Sequence, residues 1–135
     1  MGSRDMSILL VDDEPAIRAA LRRTVSRLGY RTLEAESARE ALSLIDSGEA
    51  PVAAICDYNM PRQTGLELAH MLRARMPDLP ILLLSGRAPT TDVEKALSSG
   101  LLWAFVAKPW DLSWMRSAIP AMIERQPPPC MESPD

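Results

Sequence analysis

At 135 residues the chain suits one domain with a single sizeable core, and its apolar share of 47% and charged share of 24% are ordinary for a globular protein. The net charge of −3 argues against direct binding to nucleic acid, which demands a basic face. No run of about 18 apolar residues could cross a membrane. Cys56 and Cys130 suit free thiols in a reducing cytoplasm, so a cytoplasmic location is expected.

Short apolar segments alternate with amphipathic segments five times along the chain. The predicted strands are 8–11, 31–35, 52–56, 81–84 and 104–107, and a helical pattern follows each of them. The second strand is the most polar, as expected of an edge strand. This alternation favours an α/β, doubly wound fold with a parallel sheet and right-handed crossovers.

Helix ends are marked by a few local signals. Capping boxes at 37–40 and 91–94 predict the starts of the second and fourth helices. Pro15 suits the first turn of the first helix. Pro120 falls inside the last helical pattern, where it should kink or split the helix.

The two ends of the chain have different compositions from the middle. We expect residues 1–6 to be a flexible lead-in, residues 7–126 to form the domain, and residues 127–135 to be a Pro-rich disordered tail or linker stub. The tail is predicted to be extended and not to pack.

Three of the apolar runs end in charged residues. The first runs into Asp12 and Asp13, the third into Asp57, and the fifth into Lys108. Parallel strands bring their carboxyl ends to one edge of the sheet, where α/β folds bind ligands. Three carboxylates there need a compensating charge, which a divalent cation supplies. The sequence therefore predicts a metal-assisted acidic pocket beside a lysine, a combination suited to phosphate chemistry.

Each of these residues also has an ordinary structural explanation. Asp12 and Asp13 could cap a helix, Asp57 could belong to a turn, and Lys108 could be a solvated loop residue. Ser85 could likewise sit in an ordinary turn after the fourth strand. Their joint placement after buried strands favours the functional interpretation.

An ordered set of motifs covering about nine tenths of the chain resembles the receiver domain of the two-component response-regulator family. The motifs are Val11-Asp12-Asp13-Glu14, Asp57-Tyr58-Asn59-Met60-Pro61 with Gly65, Leu84-Ser85-Gly86, and Phe105-Val106-Ala107-Lys108-Pro109. The resemblance implies a flavodoxin-like (βα)5 fold with strand order 2-1-3-4-5.

The resemblance also implies roles for individual residues. Asp57 would be the phosphoacceptor, and Asp12, Asp13 and Asp57 with the Asn59 carbonyl would hold Mg²⁺. Ser85 and Lys108 would contact the phosphoryl group, and Ser85 with Phe105 would form the switch.

The implied partner is a histidine kinase or a histidine phosphotransfer protein. His70, the single histidine, lies in the third helix away from this edge, so the protein should accept phosphoryl groups and not supply them. The phosphoryl-driven change would alter the surface of the fourth helix, fifth strand and fifth helix, through which a homodimer could also form. The protein would not be an enzyme beyond its own phosphorylation and dephosphorylation.

Trp103, Trp110 and Trp114 have two interpretations. They could cover the fifth strand and last helix, or they could form a partner surface, where aromatic side chains often act as anchors.

Three alternatives to a working receiver remain open. A dehalogenase-type phosphatase would need a second Asp two residues after the nucleophile, where Asn59 stands, and a cap insertion for which the chain has little room. A nucleotide or flavin module lacks its glycine-rich loop after the first strand. A degenerate receiver that acts only as a docking module is disfavoured by the intact acidic set.

Overall fold

The computed structural model describes residues 5–130, and they form a five-stranded parallel sheet with helices on both faces. The elements are β1 (Ser7–Val11), α1 (Pro15–Arg27), β2 (Arg31–Ala35), α2 (Ala38–Asp46), β3 (Ala53–Asp57), α3 (Gly65–Arg75), β4 (Ile81–Ser85), α4 (Thr91–Ser98), β5 (Ala104–Ala107) and α5 (Leu112–Ile123). The strand order is β2-β1-β3-β4-β5. The predicted flavodoxin-like fold and strand order are confirmed.

The sheet separates two layers of apolar side chains. Alternate strand residues pack beneath α2, α3 and α4 on one face and beneath α1 and α5 on the other. All five residues of β3 and of β4 are buried, as expected of strands covered on both faces. Strand β2 is only partly buried and lies at the edge, as predicted.

The helix starts differ in detail from the predicted capping boxes. The Ser37 hydroxyl accepts from the Glu40 N–H, but a complete reciprocal box forms instead at α3, between Thr64 and Glu67. Helix α4 is capped by Thr90 and not by Thr91, so that prediction is wrong by one residue. Because Thr90 and Thr91 are adjacent, the local sequence does not determine which of the two hydroxyls caps the helix.

Helix α5 continues through Pro120 to Ile123, so of the two predicted effects, a kink or a split, the split is wrong. Proline removes one N–H, but apolar burial on both sides of it holds the helix together: Ala118, Ile119, Ala121 and Met122 are all buried. Packing therefore outweighs the local penalty.

Two hydrogen bonds join the chain beyond α5 to the domain. The carbonyls of Gln126 and Pro129 accept hydrogen bonds from the indoles of Trp103 and Trp114. These two bonds tie Gln126 and Pro129 to the domain, whereas Pro127 and Pro128 between them are exposed. Residues 1–4 and 131–135 lie outside the described residues. Among residues 5–130, no helix is both long and apolar enough to cross a bilayer.

Candidate functional site

The carboxyl ends of β1 and β3 bring three carboxylates together. Asp12 follows β1, Asp57 ends β3, and the pairing of Val11 with Cys56 sets these neighbouring strands in register. Carboxylate oxygens of Asp12, Asp13 and Asp57 all lie within 4.8 Å of one another. The acidic pocket predicted from the sequence is therefore present in the fold.

Lys108 reaches this cluster from the end of β5. Its Nζ lies 2.9 Å from Asp57 Oδ1 and 3.1 Å from Asp12 Oδ2. The Lys108 backbone N–H donates to the Ser85 carbonyl at 2.8 Å, which ties the lysine to the end of β4. One ammonium thus bridges two carboxylates that are almost fully buried.

The protonation of the pocket reflects competition between burial and charge. Burial raises the pKa of Asp57, and this effect outweighs the hydrogen bond from Lys108 and the Asn59 backbone N–H, which lower it. The Asp57 and Asp12 hydrogen bonds raise the pKa of Lys108 although burial acts in the opposite direction. Lys108 therefore favours the ionised form of Asp57 as expected, but its effect on the Asp57 pKa is smaller than that of burial.

Oxygen donors of this kind suit Mg²⁺. Among the described residues Asp13 makes no ion pair, so Lys108 compensates only part of the clustered negative charge. Hard divalent cations prefer carboxylate and carbonyl oxygens, with water completing the shell. Asp12, Asp13 and Asp57 therefore fit such an ion, and a role for the Asn59 carbonyl stays a prediction.

Ser85 and Phe105 lie on the neighbouring strands β4 and β5. Ser85 is buried at the end of β4, and its Oγ accepts from the Arg87 N–H at 3.1 Å. Within the described residues this hydroxyl donates to no acceptor, so its proton is free for a ligand. Phe105 pairs in register with Leu83 and is half-buried against the layer beneath α2, α3 and α4.

Close packing at the start of α3 accounts for the glycine at position 65. A Cβ at this position would overlap the Asp57 carbonyl oxygen and come within 2.7 Å of a Leu83 methyl group. The Gly65 N–H also donates to the Tyr58 carbonyl at 2.8 Å. The start of α3 thus lies directly against the backbone that presents Asp57.

Arg18 supports the acidic loop, and sequence reasoning missed it. Its guanidinium donates to the Asp12 backbone carbonyl at 2.6 Å and pairs with Glu34 on β2 at 3.6 Å. The Asp12 carboxylate meanwhile accepts from the Glu14 N–H at 2.9 Å. Arg18 on the first helix had no local signal that distinguished it from an ordinary surface arginine.

The tryptophans belong mainly to the core. Trp114 is 8% exposed, and Trp103 and Trp110 are half-buried against the same layer beneath α1 and α5. Trp114 is therefore not available as an exposed anchor, and a partner surface formed by Trp103 and Trp110 stays a prediction. His70 is exposed on α3, outside the acidic cluster.

Fold and site together define a doubly wound α/β domain with an acidic, lysine-bordered pocket at the carboxyl edge of its sheet. The model of the response regulator receiver domain matches residues 8–120. Among curated proteins, response regulator MprA of Mycolicibacterium vanbaalenii is 39% identical over 121 residues, covering 90% of this chain and 52% of its own. MprA of Mycobacterium leprae is 37% identical over 123 residues, covering 91% and 53%.

Solved structures agree. The signal receiver domain of an HD domain-containing protein from Pseudomonas fluorescens Pf-5 superposes with a TM-score of 0.82 at 28% identity, covering 93% of this chain and 92% of that one. Response regulator TrrA of Thermotoga maritima, solved in complex with Mg²⁺–BeF, gives 0.73 at 32% identity, covering 87% and 98%. The chain belongs to the response regulator receiver family. It spans about half the length of the curated relatives it matches.

Proposed function

We propose that this receiver domain accepts a phosphoryl group on Asp57 from a phosphohistidine of a histidine kinase or phosphotransfer protein. The carrying observation is that Asp57 stands between Lys108, at 2.9 Å, and a carboxylate set suited to Mg²⁺. The alternative, a degenerate receiver that acts only as a docking module, would not need this set intact.

The chemistry follows from the positions of the side chains. An Asp57 oxygen forms a bond to phosphorus while the bond from phosphorus to the donor's imidazole nitrogen breaks, and the electron pair stays on that nitrogen. When bound, Mg²⁺ would supply positive charge that offsets repulsion between carboxylate and phosphoryl oxygens. Asp12, Asp13 and Asp57 with the Asn59 carbonyl would hold it.

Lys108 and Ser85 would stabilise the transferred group. The Lys108 ammonium can move its hydrogen bond from Asp57 to a phosphoryl oxygen without leaving the pocket, because it already reaches both carboxylates. The Ser85 hydroxyl can donate its proton to another phosphoryl oxygen. Both groups neutralise charge that the loose transition state spreads over these oxygens.

The first test is chemical labelling. With Mg²⁺ and acetyl phosphate, the protein should gain one phosphoryl group, detected by intact mass. Asp57→Asn should abolish the label, and Asp78→Asn, an exposed aspartate in the loop before β4, should keep it. Labelling of Asp57→Asn equal to the parent would refute the assignment, and turnover of small phosphate esters would favour a phosphatase.

The signal would leave the site through β4 and β5. We propose that Ser85 moves toward the phosphoryl group and that Phe105 repacks into the space released, changing the surface of α4, β5 and α5. Hydrogen exchange with and without beryllofluoride and Mg²⁺ tests this route. Changes should concentrate in residues 85–108; their absence despite beryllofluoride binding, or confinement to other helices, would exclude it.

A further inference from the structure

The chain reverses direction immediately after α5. Arg125 has a positive φ of 59°, its N–H donates to the Met122 carbonyl at 3.2 Å, and the Gln126 N–H donates to the Ala121 carbonyl at 2.9 Å. This pair of bonds is a Schellman motif with a left-handed residue after the helix end. The Arg125 guanidinium also donates to the Asp78 carbonyl at 2.9 Å, which anchors a conformation that a non-glycine residue rarely adopts.

Two indoles hold the segment that follows the reversal. Trp103 Nε1 donates to the Gln126 carbonyl at 2.8 Å, and Trp114 Nε1 donates to the Pro129 carbonyl at 2.9 Å. Prolines lack an N–H and offer only carbonyl acceptors, whereas the indole is only a donor. The two groups are therefore complementary.

The two accepting carbonyls are three residues apart, which matches the repeat of the polyproline II conformation that the prolines favour. Gln126, Pro127 and Pro128 each precede a proline, which restricts them to extended, polyproline II-like backbone. This helix has about three residues per turn, so carbonyls three residues apart point the same way. The carbonyls of residues 126 and 129 can therefore both face the indoles, which pack on one apolar layer.

We propose that Trp103 and Trp114 form a binding site for the chain's own proline-rich segment 126–129, and that this docked segment covers the surface of β5 and α5. Aromatic-lined surfaces recognise preformed polyproline segments at low entropic cost. Trp114 is the third residue of α5, so the docked segment runs back along the helix. Pro129 therefore lies beside the first turn of α5, and any protein that uses this surface must displace the segment.

Cys130 provides a reporter at the end of the segment. It is exposed, whereas Cys56 is fully buried and burial raises the pKa of its thiol to about 12, so a thiol-reactive fluorophore should attach at Cys130. The full chain is measured by fluorescence anisotropy of this label and, unlabelled, by NMR exchange of the indole N–H protons. Trp110 serves as the internal reference, because it packs on the same layer but makes no indole hydrogen bond within residues 5–130.

The indole protons of Trp103 and Trp114 should exchange roughly 2- to 10-fold more slowly than that of Trp110, as expected for one added hydrogen bond each. Trp103→Phe removes one donor and keeps a ring, and Pro128→Gly loosens the backbone and keeps both donors. Each should lower the anisotropy at Cys130 and speed exchange of the Trp114 indole, while the control Trp110→Phe should change neither. Equal exchange of all three indoles, or unchanged anisotropy in Pro128→Gly, would overturn the proposal even if Trp103→Phe fails to fold.

Discussion

At the scale of single residues, the acidic pocket distributes its charge unevenly. Lys108 pairs with Asp12 and Asp57, and Asp13 has no cation partner among the described residues. Asp13 is also less buried than the other two carboxylates. Without a bound cation, the Asp13 carboxylate therefore repels its two neighbours. When a cation binds, the same carboxylate is available as a ligand.

Asp13→Asn should stabilise the metal-free protein and weaken its response to Mg²⁺. Removing one of three clustered charges should raise the free energy of unfolding by about 1 kcal/mol without Mg²⁺. The stabilisation that a bound cation adds should largely disappear. Thermal unfolding across a Mg²⁺ titration measures both effects, with Glu14→Gln, an exposed neighbour outside the cluster, as control. A Mg²⁺-dependent shift equal to that of the parent would contradict the assignment of Asp13 as a ligand.

Gly65→Ala should destabilise the fold and disturb Asp57. The added Cβ meets the Asp57 backbone, which cannot move without shifting the end of β3. Overpacking of this kind costs about 1–3 kcal/mol of unfolding free energy. Urea denaturation should show this loss in Gly65→Ala, whereas Gly86→Ala, where a Cβ meets nothing within 4 Å, should stay within about 0.5 kcal/mol. Equal stability of the two variants would contradict this prediction, because it would mean that the Asp57 backbone and Leu83 move away from the added Cβ at no cost.

At the scale of elements, most helices begin at side-chain caps that local sequence can encode. Ser37, Thr64, Thr90 and Asp111 each accept from the backbone N–H of the residue three positions later in the chain. Helix α1 differs, because Glu14 makes no side-chain cap and Pro15 occupies the first turn. Helix α5 is the least favourable by local criteria, since it contains an internal proline.

Pro120→Ala should stabilise the protein. The new N–H can bond the Arg116 carbonyl, and alanine removes the proline penalty inside a helix, offset by greater freedom of the unfolded chain and loss of ring contacts. We expect a net gain of about 1–2 kcal/mol in unfolding free energy by urea denaturation. Ser117→Ala, at an exposed position of the same helix, is the matched control and should change little. A loss of stability in Pro120→Ala would mean that contacts of the half-buried ring outweigh the missing hydrogen bond.

At the scale of the whole molecule, two apolar layers share one sheet. The same strands supply alternate residues to both layers, so losing the helices on one face would expose one face of the strands that also carry the other layer. All three tryptophans lie in the layer beneath α1 and α5. Local unfolding of one layer alone should therefore be unfavourable.

The protein should unfold in a single cooperative step. Tryptophan fluorescence reports the layer beneath α1 and α5, and far-UV circular dichroism reports helices on both faces. The two urea transitions should have the same midpoint and slope within error. A fluorescence transition at lower urea would show that the α1 and α5 layer opens independently.

The sequence by itself determined the five strands, their order along the chain and the residues at the carboxyl edge. Buried parallel strands have apolar runs that can be recognised locally, and a parallel sheet brings Asp12, Asp57 and Lys108 together once the strands are known. The site residues also follow short motifs, so the pocket could be predicted before the fold was known.

Only the tertiary structure decided contacts between segments that carry no local signal. The hydrogen bond of Arg18 to the Asp12 carbonyl, the burial of Trp114 and the docking of Pro129 depend on how helices and the chain end pack on the sheet. Helix α5 persists through Pro120 because burial outweighs the local penalty. In each case the deciding free energy comes from long-range packing, which composition and periodicity do not contain.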